Sequence, residues 1–381
     1  MLKNRHGSLR MKLRNGMKSV FVILATILVV GLMMPTAVMA DVFQTDVQRI
    51  SAPNFDENVS GRALAMGTAV TSNVSDATAV WINPAALAWI KDNHIMLTGG
   101  SHEDNTFYPS SHDDGIAASF MYDSVAESMM FTGIYYADTN FGVSFNYPVH
   151  ETVTQDVLAL DPSDSNTYWT TLEQNNRIKC ITAAYGGDLA DNFAAGIAVN
   201  WYMYDYDIHE SYGHGFSDES EADVGITVGA LYKFTNDRQL SLVYRSQVEN
   251  IFALDGFADE RFWIGAPARL TAGYSHQFTA DLMMAFELEG EFWNTLDDTL
   301  EDRFNYRLGG EYILKRRNKA TWPLRMGLYN NSHPQGELNF EEEAIFTAGL
   351  GYDHERWGLD FGAAIGQETQ KWLLTGRVDL R

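Results

Sequence analysis

Cysteine is almost absent from this chain: Cys180 is the single one among 381 residues. A lone thiol excludes an internal disulfide framework and a cysteine-built zinc site. Proline is sparse, nine in all, and no Pro/Gly/Ser-rich or low-complexity tract divides the sequence. Basic charge is scarce, with 27 Lys+Arg against 50 Asp+Glu. So acidic a chain repels polyphosphate, which argues against nucleic acid as a partner. After residue 40 no apolar run reaches the roughly 17 to 25 residues of a membrane-spanning helix. A Walker loop and a convincing Ser/His or paired-carboxylate constellation are also missing, so the residues point to no enzyme and no cofactor.

What is present begins with an address. Lys3, Arg5, Arg10, Lys12, Arg14 and Lys18 precede an apolar stretch from Val20 to Met34, and Val38-Met39-Ala40 offers a small-residue cleavage site before Asp41. That order reads as a secretory signal peptide over 1–40. Removing its six basic residues leaves 21 against 50 acidic ones, a net charge of −29 on the exported part. No cysteine follows the cleavage site, so a lipid anchor is not expected there.

From position 93 onward the sequence alternates. Over Leu282 to Glu291, Leu282, Met284, Phe286 and Leu288 fall on one side, and Met283, Ala285, Glu287, Glu289 and Glu291 on the other. Over Phe304 to Ile313, Phe304, Tyr306, Leu308 and Tyr312 oppose Asn305, Arg307 and Glu311. Alternation alone does not say which face is inside. Length favours lipid outside: the segments match the about 9 to 11 residues of a tilted membrane strand, against about 5 to 6 in soluble sheets. Short turns, as at Asp138-Thr139 and Thr235 to Arg238, alternate with long stretches at about 149–175, 206–221, 247–267, 291–303 and 330–342. This is the rhythm of an all-β transmembrane antiparallel barrel with periplasmic turns and extracellular loops. Fifteen strand-like segments follow His94, but a single-chain bacterial barrel takes an even number. The expectation is therefore about fourteen strands over 93–381. Either Gly115 to Tyr122 folds within the first outer loop, or it exchanges roles with His94 to Gly100.

One segment does not fit a barrel wall. Gly61 to Leu87 reads GRALAMGTAVTSNVSDATAVWINPAAL, with small residues, a polar turn and an Asn83-Pro84-Ala85 break. It suits something packed inside a barrel, and 41–92 is read as an N-terminal hatch.

Here the residues resemble the FadL-like transporters of long-chain fatty acids and hydrocarbons in the Gram-negative outer membrane. Gly61-Arg62-Ala63, Met66-Gly67-Thr68-Ala69, Asp76 and Asn83-Pro84-Ala85 look like that family's hatch. Tyr244-Arg245-Ser246-x-Val248, Tyr306-Arg307-Leu308, Leu324-Arg325-Met326-Gly327 and Trp372 fall in family order, so the likeness spans the exported chain. It implies a fourteen-stranded plugged barrel that passes hydrophobic small molecules passively. Release would be sideways, near a kinked third strand at about Asn140 to Tyr147, ending at Pro148. It also implies Phe43, third after the cleavage site, as a ligand contact. Outer-membrane lipid surrounds such a barrel, the barrel assembly machinery inserts it, and it acts as a monomer. Two features depart from the pattern: Ala86 stands where glycine follows NPA, and the chain ends Asp379-Leu380-Arg381 rather than in an aromatic residue. Two other readings stay open, a PorV-like secretion or surface-assembly partner and a general porin.

Candidate site residues follow. Inward charges by alternation are Arg245, Arg269, Glu287, Glu289, Arg307, Glu311 and Arg325, read as cross-strand pairs that hold the hatch; one arginine receiving a ligand carboxylate is the alternative. Phe262, Trp263 and Ile264 in a long loop are read as a capture surface. Trp293, at a strand end, is read as part of the interfacial aromatic belt. The acidic runs Asp218 to Asp223 and Asp297 to Asp302 lack a spaced calcium pattern, so no metal site is assigned.

Overall fold

A strand whose alternate side chains are Leu, Phe and Tyr can hold its backbone polar groups away from water only if both edges are paired, and closure into a ring pairs them all. The chain does this. The computed structural model describes residues 59–104, 107–110, 120–123, 125–160, 167–210, 215–219, 222–253, 261–296, 301–315, 320–331, 343–367 and 369–380. Fourteen antiparallel strands form the wall: β1 (Asn93–Asp104), β2 (Val125–Asp138), β3 (Phe141–Leu160), β4 (Thr167–Ala190), β5 (Phe193–Glu210), β6 (Asp223–Thr235), β7 (Arg238–Arg245), β8 (Ala268–Gln277), β9 (Leu282–Phe292), β10 (Arg303–Lys315), β11 (Thr321–Asn331), β12 (Glu343–His354), β13 (Trp357–Ile365) and β14 (Thr369–Leu380). Each pairs with its sequence neighbours, and β14 closes on β1 from Asn93↔Leu380 to Asp104↔Thr369. The ambiguity over the first strand is resolved: Asn93–Asp104 is in the wall, and Phe120–Asp123 pairs with Phe107–Ser110 in a small hairpin of the first loop.

Burial settles inside from outside. Leu97, Ile134, Ile181, Ile197, Leu242 and Leu288 are exposed, while Thr98, Thr182, Asn200, Arg245 and Glu287 are buried. The outer face is thus an apolar band and the inner face carries the polar groups, the reverse of a soluble barrel. No helix among the described residues is long and apolar enough to cross a membrane.

Three of the stretches expected as long loops are mostly paired. β3 and β4 extend as one hairpin from Val149↔Ile178 to Leu160↔Thr167. Gly215–Glu219 folds back on β5, and Val248–Ala253 pairs with Arg261–Ala266. Beyond the apolar outer band both faces can be polar, so the alternation fades while the backbone ladder continues.

Val59 to Asp92 runs inside the ring. Ser60 caps a short helix α1 (Gly61–Ala65) by accepting from Ala63 N at 3.1 Å. Gly67 and Thr68 follow with φ of 59° and 57°, a left-handed pair. A second turn of helix, α2 (Ala79–Ile82), leads to Asn83, whose Oδ1 accepts from Ala85 N at 3.1 Å and starts a 3-10 turn over Pro84–Trp89. Ala86 sits buried in that turn, so glycine is not needed there.

The wall meets this segment with glycines. A Cβ on Gly196 would lie 2.3 Å from the Pro84 carbonyl carbon, one on Gly186 2.2 Å from the Pro84 oxygen, and one on Gly229 2.1 Å from Asn83 Oδ1. Across the lumen, a Cβ on Gly309 or Gly327 would come within 2.3 Å of the Met66–Gly67 backbone, and one on Gly362 within 2.2 Å of the Gly61 oxygen. Backbone therefore packs on backbone around the ring, an approach that side chains would prevent.

Candidate functional site

The inward face is divided. Among the described residues, every buried Asp, Glu, Lys or Arg of the wall lies on β7 to β14, and none lies on β2 to β6.

On the charged half, alternation along β9 aims Glu287, Glu289 and Glu291 inward, and β8 and β10 present arginines in register, Arg269↔Glu291 and Arg307↔Glu287. Arg307 reaches Glu289 at 2.5 Å and Glu287 at 3.7 Å; Arg269 reaches Glu291 at 3.5 Å. Arg325 is shared between Glu311 at 2.6 Å and Asp360 at 2.5 Å. The inner segment joins this lattice. Arg62 lies 3.4 Å from Glu311 and donates to Asn73 Oδ1 at 2.9 Å. Glu287 Oε1 accepts from Thr71 through both its amide and its hydroxyl. Arg245 donates to the Trp81 carbonyl at 2.9 Å and stacks 4.3 Å from the Trp81 ring centre. Buried charges are tolerated only when so paired. A cavity of about 20 Å³ remains between Thr68, Thr71 and Ile82 on one side and Arg245, Arg269 and Arg307 on the other. That is room for a water and not for an alkyl chain.

The other half carries no buried charge among the described residues. Tyr135, Val149, Ile178, Cys180, Tyr202 and Tyr204 are buried there and belong to one apolar cluster with Val70, Trp81 and Ile82 of the inner segment. Cys180 is a buried free thiol within β4. The wall is irregular on this side. β3 does not end at Pro148 as expected but runs on to Leu160, with one extra residue against β4 between Asn146↔Cys180 and Val149↔Ile178. Its ladder to β2 is interrupted between Gly133↔Asn146 and Glu127↔Thr152, although the register is the same on both sides. β2 carries a matching bulge against β1 at Thr98/Gly99. Proline contributes no N–H to a ladder, which accounts for a bulge at this point. At the interruption, Tyr147 packs edge-to-face on Phe145 at 5.3 Å and on Phe131 at 6.3 Å.

The remaining candidates are dispersed. Gly61 N donates to Thr375 Oγ1 at 2.9 Å, Gly67 N to Thr347 Oγ1 at 3.0 Å, and Asn83 Nδ2 to the Thr71 carbonyl at 2.9 Å. Pro84 and Ala85 pack on Gly196. Phe262, Trp263 and Ile264 lie on the strand Arg261–Ala266, opposite Phe252, Ile251 and Asn250, with their side chains outside the described residues. Phe43 also lies outside them. Trp293 corrects one expectation: it is 2% exposed and donates to Glu291 Oε2 at 2.8 Å, so it faces the lumen and not the interfacial belt. The neutral residues Tyr135, Asn146, Ile178 and Tyr204 carried no sequence signal, because apolar side chains on both faces leave no contrast to read.

No family model and no curated protein matches this sequence. Solved structures do match. A Pseudomonas aeruginosa FadL homologue superposes with a TM-score of 0.58 at 13% identity, over 87% of this chain and 99% of its own. The Ralstonia pickettii toluene transporter TbuX gives 0.55 at 14%, over 86% and 99%, and the P. putida toluene transporter TodX gives 0.56 at 12%, over 85% and 98%. The fold is that of a FadL-like barrel. Within this FadL-like fold, the interrupted β2–β3 ladder lies on the neutral side of the lumen and the ion-pair lattice lies on the opposite side.

Proposed function

We propose that this protein is a passive outer-membrane transporter of hydrophobic small molecules, long-chain fatty acids or related hydrocarbons, and that Val59–Asp92 is its plug. The observation that carries the reading is the division of the lumen: the Arg62–Glu311 ion pair and hydrogen bonds to Glu287 and Arg245 hold the plug on one half, and the apolar half leads to the break between β2 and β3. Apolar cargo would gain from contact with that half without stripping water from any charge. The apolar outer band suits lipid, and the toluene transporters of like fold support hydrophobic cargo. Phe43 and the hairpin carrying Phe262, Trp263 and Ile264 are the proposed capture contacts, and no residue is assigned to catalysis. A wide water-filled porin fits poorly with a plug docked backbone to backbone.

Purified protein titrated with a homologous series of labelled alkanes or fatty acids tests this. Transfer of each CH₂ from water is worth about 0.8 kcal/mol, so affinity should rise about fourfold per methylene. Affinity independent of chain length would reject the reading.

A further inference from the structure

A belt of hydroxyl and carboxamide side chains lines the neutral half, and its pairing changes along its length. From β4 to β6 it is closed: Cys180 Sγ lies 3.6 Å from Thr182 Oγ1, which donates to Asn200 Oδ1 at 3.0 Å, and Asn200 Nδ2 donates to Thr227 Oγ1 at 2.8 Å. The same belt continues onto β3, where Ser144 stands opposite Thr182 and Asn146 opposite Cys180. There it is open. Ser144 Oγ, Asn146 Oδ1 and Thr132 Oγ1 are buried with no hydrogen-bond partner, and their residues are only 5%, 2% and 5% exposed. Gly133, next to Thr132, pairs with Asn146, and Ser144 pairs with Tyr135, so all three residues lie at or within two positions of the edge of the interrupted β2–β3 ladder. Buried polar atoms are seldom left unmade, and three at one break point to a guest that completes them.

We propose that Thr132, Ser144 and Asn146 bind the polar head of a neutral amphiphile that can donate a hydrogen bond, a long-chain alcohol being the simplest case, while its tail lies along the apolar cluster. The chemistry separates three cargo classes. The Asn146 carbonyl oxygen requires a donor, and the Ser144 and Thr132 hydroxyls can give or accept. An alcohol meets both demands. An ionised carboxylate has no proton to donate to the Asn146 carbonyl oxygen. An alkane meets neither. This inference rests on the transport reading and narrows its cargo.

The test uses the full exported chain in detergent and three matched probes, 1-dodecanol, dodecane and dodecanoate at a pH where it is ionised, each corrected for partition into protein-free micelles. One or two hydrogen bonds should make dodecanol bind about five- to tenfold tighter than dodecane, with dodecanoate also weaker than dodecanol. Thr132→Val, which keeps the side-chain shape, and Asn146→Leu should each bring the alcohol-to-alkane ratio towards one. Equal binding of alcohol and alkane, tightest binding of dodecanoate, or a ratio unmoved by both variants would overturn the proposal. Binding of none of the three would instead count against the transport reading itself.

Discussion

Arg325 shows how single residues hold this interior together. Its side chain is 2% exposed, and its guanidinium spans Glu311 on β10 and Asp360 on β13, while Glu311 also meets Arg62 from the inner segment. Replacing Arg325 with methionine fills the space but leaves two carboxylates facing one remaining arginine. Removing one partner of such a buried pair typically costs about 3 to 5 kcal/mol. Arg325→Met should therefore lower the denaturant midpoint in micelles, and restoring charge balance with Asp360→Asn should recover part of the loss. Arg307 shares the same logic with Glu287 and Glu289. At this scale the sequence was informative, because a charge alternating with leucine falls on the opposite face from the apolar band. It could not say which pairs form, since register across strands is set by turns and bulges many residues away.

At the scale of elements, the wall glycines and Pro148 carry the most information. Gly196→Ala would place a Cβ against the Pro84–Ala85 backbone, whereas Gly310→Ala meets nothing closer than 3.9 Å. Overpacking of this kind costs about 1 to 3 kcal/mol. Limited proteolysis in detergent should find the plug more readily cleaved in Gly196→Ala than in the parent, with Gly310→Ala unchanged; equal cleavage in all three would mean that the plug is not held by this contact. Strand positions were legible because alternation and length agree from Leu282 to Leu380. The extensions of β3 and β4 beyond the wall were not, because Glu151, Asp156 and Glu173 in a threonine-rich stretch read as a loop. Pro148 looked like a terminus and proved to be a bulge within a longer strand, a choice made by the pairing of Val149 to Leu160 with β4.

For the whole molecule, the proposed role of Val59–Asp92 as a plug is tested by conductance. The parent in planar bilayers should show little ion conductance, and deletion of 59–92 should open large, long-lived steps; steps of equal size in both would return the porin reading. The long reach of the inner segment's hydrogen bonds has a kinetic meaning. Gly61 bonds to Thr375, Gly67 to Thr347 and Thr71 to Glu287, separations of 314, 280 and 216 residues. The part of the barrel made first can therefore complete its contacts only after the part made last has arrived. Contacts this remote in sequence are slow to form. The plug should then lock in the same step that zips β14 onto β1, and a chain stalled before its last strand would be open at the wall and unstoppered at the centre together.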